Sequence, residues 1–163
     1  MRDLQYTTVL MGRALTHAEL ENCISIIQKG DAVNLESARD ELPKATVVTL
    51  AHLNDQIVGV GAIKRMRTEY AAKISKRAGF AFSAESMELG YVAVDPAHRG
   101  NRLSYALVAS LIAGRNETMF ATTSSERMMK ALTRGEFVRQ GDEWEGNSAR
   151  LTLWLRPARL PTR

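Results

Sequence analysis

The segment Met87–Gly114, MELGYVAVDPAHRGNRLSYALVASLIAG, constrains the fold more than any other part of the chain. Apolar residues dominate Leu89–Val94, Pro96 stiffens the exit, and Leu103, Leu107 and Leu111 then recur at helical spacing. A strand that passes through a tight basic turn into a core helix is a building unit of α/β proteins. The turn has its own chemistry. Gly100 lets the chain bend so that amides from Arg99 to Ser104 converge, Arg99 and Arg102 bring guanidinium groups, and the helix adds its positive end. Such a turn suits a pyrophosphate. The plainer reading is the basic first turn of a core helix, and the strand that precedes the turn favours the phosphate.

Composition narrows the alternatives. With 163 residues, 45% of them hydrophobic, the chain can build one domain over residues 1–163. No apolar run is long enough to span a membrane, and the N-terminus lacks the apolar centre of a signal peptide, so a cytoplasmic protein is expected. A single cysteine, Cys23, excludes an internal disulfide and a cysteine-based zinc site. The histidines, His17, His52 and His98, are scattered without metal-ligand spacing, and no metal is expected. The net charge of +4 favours an anionic partner without naming it.

The remaining elements follow from pattern. Tyr6–Leu10 reads as a strand. Thr16 and Glu19 form a capping box, after which Leu20, Cys23, Ile24 and Ile27 share a helical face up to Gly30. A shorter helix is expected over Leu35–Leu42, capped by Asn34 and ended by Pro43. Thr46–Leu53 and Gln56–Ile63 form a hairpin about Asn54-Asp55. Residues 64–86 read as an irregular basic excursion with a helical turn or more. Then come the strand Glu88–Val94, a helix from Arg99 to Ala113, a strand Thr118–Thr122 and a helix Glu126–Thr133. Phe137–Trp144 and Ala149–Leu155 pair around Gly146-Asn147, and the basic tail from Arg156 is expected to fray. This order indicates an α/β sheet covered by helices on both faces.

The motif Val94-Asp-Pro-Ala-His-Arg-Gly-Asn-Arg-Leu-Ser104 resembles the signature of the GNAT superfamily of acyl-CoA-dependent N-acetyltransferases. Arg99 matches its first position, whereas Arg102 stands where glycine is usual and Ser104 where another small residue is usual. A weaker match runs from Ser125 to Phe137, with Ser125 in place of Asn, Leu132 in place of Tyr and Glu136 in place of Gly. The resemblance covers roughly Val47–Leu155. It implies a mixed, splayed central sheet of six to seven strands and acetyl-CoA as co-substrate. By the same resemblance, Arg99, Gly100, Asn101, Arg102, Leu103 and Ser104 would hold the pyrophosphate. Val92, Ala93 and Val94 would line the pantetheine arm, and Ser125 would contact the cofactor.

Glu88 is the candidate general base. An acid within a largely apolar strand is costly to bury unless it is partnered or functional, and in several family members a glutamate at this register takes the amine proton. An acid at the strand's exposed start is the alternative. A backbone N–H near Val94 would polarise the thioester carbonyl. The family's tyrosine acid is missing at Leu132, but a thiolate is a fair leaving group without one. Tyr91 and Tyr105 read as packing residues, and Cys23, on an apolar face, as a buried thiol rather than a nucleophile.

The acceptor is less legible. Between Lys64 and Gly79 six Lys/Arg stand against one acid, Glu69. They form either the wall of a site for an anionic acceptor, an RNA-borne amine among them, or a solvated helix face. The expected activity is direct acetyl transfer to a primary amine in a ternary complex. A silent acyl-CoA-binding module and a basic nucleic-acid-binding protein remain open. Leu151–Leu155, read as an apolar edge strand, could pair with a second copy to form a homodimer.

Overall fold

The computed structural model describes residues 5–30, 35–83, 85–146 and 149–159. Asn34 and Asn147, expected in a cap and a turn, lie outside them, as do residues 160–163. The elements are β1 (Tyr6–Leu10), α1 (His17–Lys29), α2 (Leu35–Glu41), β2 (Val47–Leu53), β3 (Gln56–Arg65), α3 (Thr68–Ala78) and β4 (Met87–Val94). They continue with α4 (Leu103–Ile112), β5 (Met119–Thr123), α5 (Glu126–Arg134), β6 (Val138–Glu145) and β7 (Arg150–Arg156). Seven strands form one sheet in the order β1-β2-β3-β4-β5-β7-β6, antiparallel except where β4 meets β5.

Strand alternation sends neighbouring side chains to opposite layers. On β5, Met119 and Ala121 pack beneath α4 and α5 with Val108, Leu111 and Leu132. Phe120 between them points the other way, to Ile74 and Ala78 of α3 and Leu153 of β7. Further along that second face, α1 seals β2 and β3 through Cys23, Ile24 and Ile27 against Leu50, Val60 and Ala62. Burial pushes the Cys23 thiol up to about 12, and the Glu19 charge adds to this, so the sulfur stays protonated near neutral pH. The capping box at the start of α1 is formed, with Glu19 N–H donating to Thr16 Oγ1 at 3.2 Å and Thr16 N–H to Glu19 Oε1 at 2.8 Å.

Several expectations are corrected. The basic excursion contains an 11-residue helix, α3, whose Ala71, Ile74 and Ala78 are buried. Helix α4 starts at Leu103 rather than Arg99. Residues Pro96–His98 form a 3-10 turn, and Gly100 (φ 86°) and Arg102 (φ 57°) are both left-handed, which no continuous α-helix allows. The short helix ends at Glu41, one residue before the expected Leu42, and Pro43 lies in a 3-10 turn over Leu42–Lys44 that follows it. Strand β7 is not an edge. It lies between β5 and β6, and β1 and β6 are the outer strands, so the pairing surface proposed for a second copy is already used within the chain.

The tail is also tied down further than expected. Arg156 is the last residue of β7 and is buried, donating from Nη1 to the Arg115 carbonyl at 3.1 Å. Beyond it, Ala158 N–H reaches Thr118 Oγ1 at 3.2 Å and Arg159 N–H reaches the Asn116 carbonyl at 2.9 Å.

The β6–β7 ladder slips between Gln140 and Trp144, and this bulge presses Gly141 (φ 69°) against the end of α3. A Cβ at Gly141 would sit 2.1 Å from the Ala78 carbonyl oxygen. Gly141→Ala is expected to destabilise the protein by about 2 kcal/mol or more, the sum of left-handed strain and a clash with backbone, read as a lowered thermal midpoint.

Candidate active-site groove

Strands β4 and β5 pair only at Met87↔Met119 and Glu88↔Phe120 and then part. On the other side of β4 the ladder with β3 jumps from Ala62↔Gly90 to Val60↔Ala93, and Tyr91 at the bulge has φ 54°. The bulge re-aims β4 just where β5 leaves it. A groove of about 480 Å³ opens between them, walled by Val92, Ala93 and Val94 on one side and by Thr122, Thr123 and Ser125 on the other.

At one end the groove meets the turn into α4, where Arg99 and Ser104 line it. Asp95 accepts from Ala97 N–H at 3.0 Å and pairs with Lys29 at 3.4 Å, while Tyr6 OH meets His98 Nδ1 at 3.0 Å. The turn is therefore braced from behind. Helix α4 lacks a side-chain cap, unlike α1, capped by Thr16, and α5, capped by Ser125. Its first N–H groups are left without a side-chain cap, an arrangement that suits an anion.

The residues expected here divide by position. Leu103 is buried against Leu107 and Val94, so it builds the floor beneath the turn. Gly100, Asn101 and Arg102 lie on the turn outside the groove lining, with Asn101 Nδ2 donating to the His98 carbonyl at 2.9 Å. Ser125 lines the groove while its Oγ accepts from Met128 N–H at 3.2 Å, so the capping reading of that residue holds as well.

Towards the middle, Glu88 lies directly opposite Lys64 in the β3–β4 ladder, and Lys64 Nζ sits 2.8 Å from Glu88 Oε1. The two side chains are only 14% and 12% exposed, so water screens the pair weakly. Glu88 Oε2 is buried and has no hydrogen-bond partner among the described residues. The exposed-start alternative for Glu88 is therefore set aside. Lys64 Nζ also lies 4.3 Å from the centre of the Tyr91 ring. Burial alone would lower the Lys64 ammonium, but the charge and hydrogen bond of Glu88, with Tyr91, hold it above the ordinary lysine value.

Among the lining residues, Tyr70 and Tyr91 were not foreseen as parts of a site, and Lys64 was foreseen only as one of the basic run. Lys64 pairs with Glu88 only through strand register, which no local motif encodes. Tyr70 reaches the groove from α3, its phenol raised by burial and the nearby Glu88 charge against a hydrogen bond from Thr122. Tyr91 packs as expected, yet it also lines the groove, with its hydroxyl 3.2 Å from Ser37 Oγ.

No family model matches the sequence, and no curated protein does. Solved structures do. An acetyltransferase of the GNAT family from Streptococcus agalactiae superposes with a TM-score of 0.70 at 12% identity, over 97% of this chain and 100% of that one. The chain has the GNAT fold. An N-acetyltransferase from Staphylococcus aureus matches with a TM-score of 0.63 at 14% identity, over 93% of this chain and 98% of that one. yncA from Salmonella typhimurium, solved with its cofactor acetyl-CoA, matches with a TM-score of 0.64 at 16% identity, over 96% and 97%.

Three departures from the GNAT motifs acquire a physical form in this fold. Arg102 and Glu136, standing where glycine is usual, both have positive φ (57° and 69°), the backbone region that glycine adopts most readily. Leu132, in place of the tyrosine, is fully buried beneath α4 and β5 and offers no proton donor. Among the described residues, no helix is long and apolar enough to cross a membrane.

Removing one partner of the Lys64–Glu88 pair strands the other. Lys64→Met is expected to cost about 2–3 kcal/mol, below the full value for a wholly buried pair because a little solvent reaches both groups. The raised Lys64 ammonium stabilises the fold below its unfolded value of 10.5, and that contribution is lost as pH rises through the higher folded value. Alkaline unfolding followed by circular dichroism should show this loss in the unaltered protein and not in Lys64→Met.

Proposed function

We propose that the protein is an N-acetyltransferase that transfers an acetyl group from acetyl-CoA to a primary amine by direct attack in a ternary complex. The observation that carries this reading is the unpartnered, buried Oε2 of Glu88 in the groove formed where β4 and β5 part.

The residues present fit acetyl-CoA. Arg99, Ser104 and the uncapped start of α4 offer charge and N–H donors to its phosphates, with Arg102 on the same turn. Main chain of Val92–Val94 has no β5 partner and would bond the pantetheine arm much as an added strand is bonded. When bound, acetyl-CoA supplies an acetyl group activated as a thioester.

The chain's own residues do the rest. Lys64 holds Glu88 by Oε1, which leaves Oε2, without a hydrogen-bond partner among the described residues, as the oxygen to accept the proton of an ammonium, directly or through a water. The Tyr91 bulge fixes where the carboxylate ends and the unpaired strand begins. A backbone N–H near Val94 polarises the carbonyl under attack. With Leu132 buried, the thiolate leaves unassisted, which its ordinary acidity permits.

Two variants test this. Arg99→Ala combined with Arg102→Ala should weaken acetyl-CoA binding in calorimetric titration by about tenfold or more, through loss of charged hydrogen bonds. Glu88→Gln should keep that affinity and lower kcat for thiol release by about 100-fold. Absence of acetyl-CoA binding to the unaltered protein would overturn the reading, and undiminished turnover in Glu88→Gln would remove Glu88 from it.

A further inference from the structure

The basic segment ahead of β4 does not form a uniformly charged face. Arg67, Tyr70, Lys73, Ile74 and Arg77 recur at helical spacing and all line the groove, whereas Arg65 and Lys76 do not. Ile74 is buried against Phe120 and Leu153, with Tyr70 packed beside them, so the helix that presents the three cations is anchored from beneath. Among the described residues lining the groove, Glu88 is the one carboxylate and six side chains are cationic. Arg99 and Arg127 belong to the α4 and α5 end, and Lys64 is neutralised by Glu88. That leaves Arg67, Lys73 and Arg77 without a carboxylate opposite them among the described groove-lining residues.

Their existing contacts are weak. Arg67 lies 3.9 Å from Glu41 at the outer edge and 5.9 Å from the Tyr70 ring centre. Arg77 spends one N–H on the Glu145 carbonyl at 3.0 Å. Lys73 has no partner among the described residues.

A simple amine reaches the groove as a cation and would be repelled by this wall. An amine that also carries an anion meets both demands, its ammonium near Glu88 and its negative group on the face of α3. Resting on the acetyltransferase reading above, we propose that the acceptor is a small amine bearing a carboxylate or phosphate group, held by Lys73 and Arg67. The groove volume, about 480 Å³ and shared with the cofactor's arm, suits a small molecule.

The test uses the full chain saturated with free coenzyme A, so that no turnover occurs. Calorimetry compares two matched pairs, β-alanine with β-alaninamide and phosphoethanolamine with ethanolamine. The anionic member should bind about tenfold or more tightly, and the pair with the larger ratio identifies carboxylate or phosphate as the recognised group. In Arg67→Gln combined with Lys73→Gln the ratio should fall towards one. Both side chains are exposed, so the thermal midpoint of this variant should stay close to that of the unaltered protein.

Equal binding within both pairs, or a ratio that survives in the variant, would overturn the proposal. Salt-dependent binding of an RNA oligonucleotide with no preference within the pairs would overturn it in favour of nucleic acid. Coenzyme A binding without anion preference sinks the acceptor class alone, and absence of coenzyme A binding sinks the acetyltransferase reading with it.

Discussion

The structure depends on a pairing that stops. Strands β4 and β5 share two residue pairs and no more, and β4 bulges at Tyr91 just beyond them, while the other edge of β5 stays paired with β7 along its length. Unpaired backbone in the middle of a sheet is costly unless something else bonds it. Here the defect is enclosed by α3, the α4 turn and the start of α5, so it becomes a groove rather than an edge. Its two walls, its charged centre and its anion-facing end are all consequences of that divergence.

The Lys64–Glu88 pair occupies the last position at which β4 and β5 still touch. Two groups that water barely reaches are expensive to desolvate, and their mutual attraction offsets this only in part. A core built for stability alone would have two apolar side chains there. The bond engages one carboxylate oxygen and leaves the other bare. The pair thus reads as a fixture for orienting a carboxylate, and Lys64 leaning on the Tyr91 ring connects that orientation to the bulge itself.

Signals contained within a few residues were legible in the sequence. The Thr16–Glu19 box, the hairpin between β2 and β3 and the strand–turn–helix about Pro96 follow from spacing alone, and the structure contains them. Signals that require register or an unexpected φ were not. Arg102 carries no mark of its left-handed backbone, so the start of α4 was placed four residues early. Helix α3 was obscured because Ala71, Ile74 and Ala78 are few among charges and its first turn has no side-chain cap. The partner of Glu88 lies 24 positions away on another strand, beyond the reach of any local pattern, a separation set by Lys64. Arg156 looked like the start of a basic tail, yet it is a buried strand end whose partner is a distant carbonyl.

The contact between Gly141 and the end of α3 shows that the two halves of the groove rest on different foundations. The α4 turn stands on Val58, Val94, Leu103 and Leu107, while α3 stands on Phe120 of β5 and on Trp144 and Leu153 of the C-terminal hairpin. The clusters have no buried residue in common. Inheritance can therefore act on them separately: drift in the last hairpin would tilt the α3 wall of the groove, while the turn into α4 stays as it is. A fold divided in this way can keep one end of its groove constant through many changes at the other.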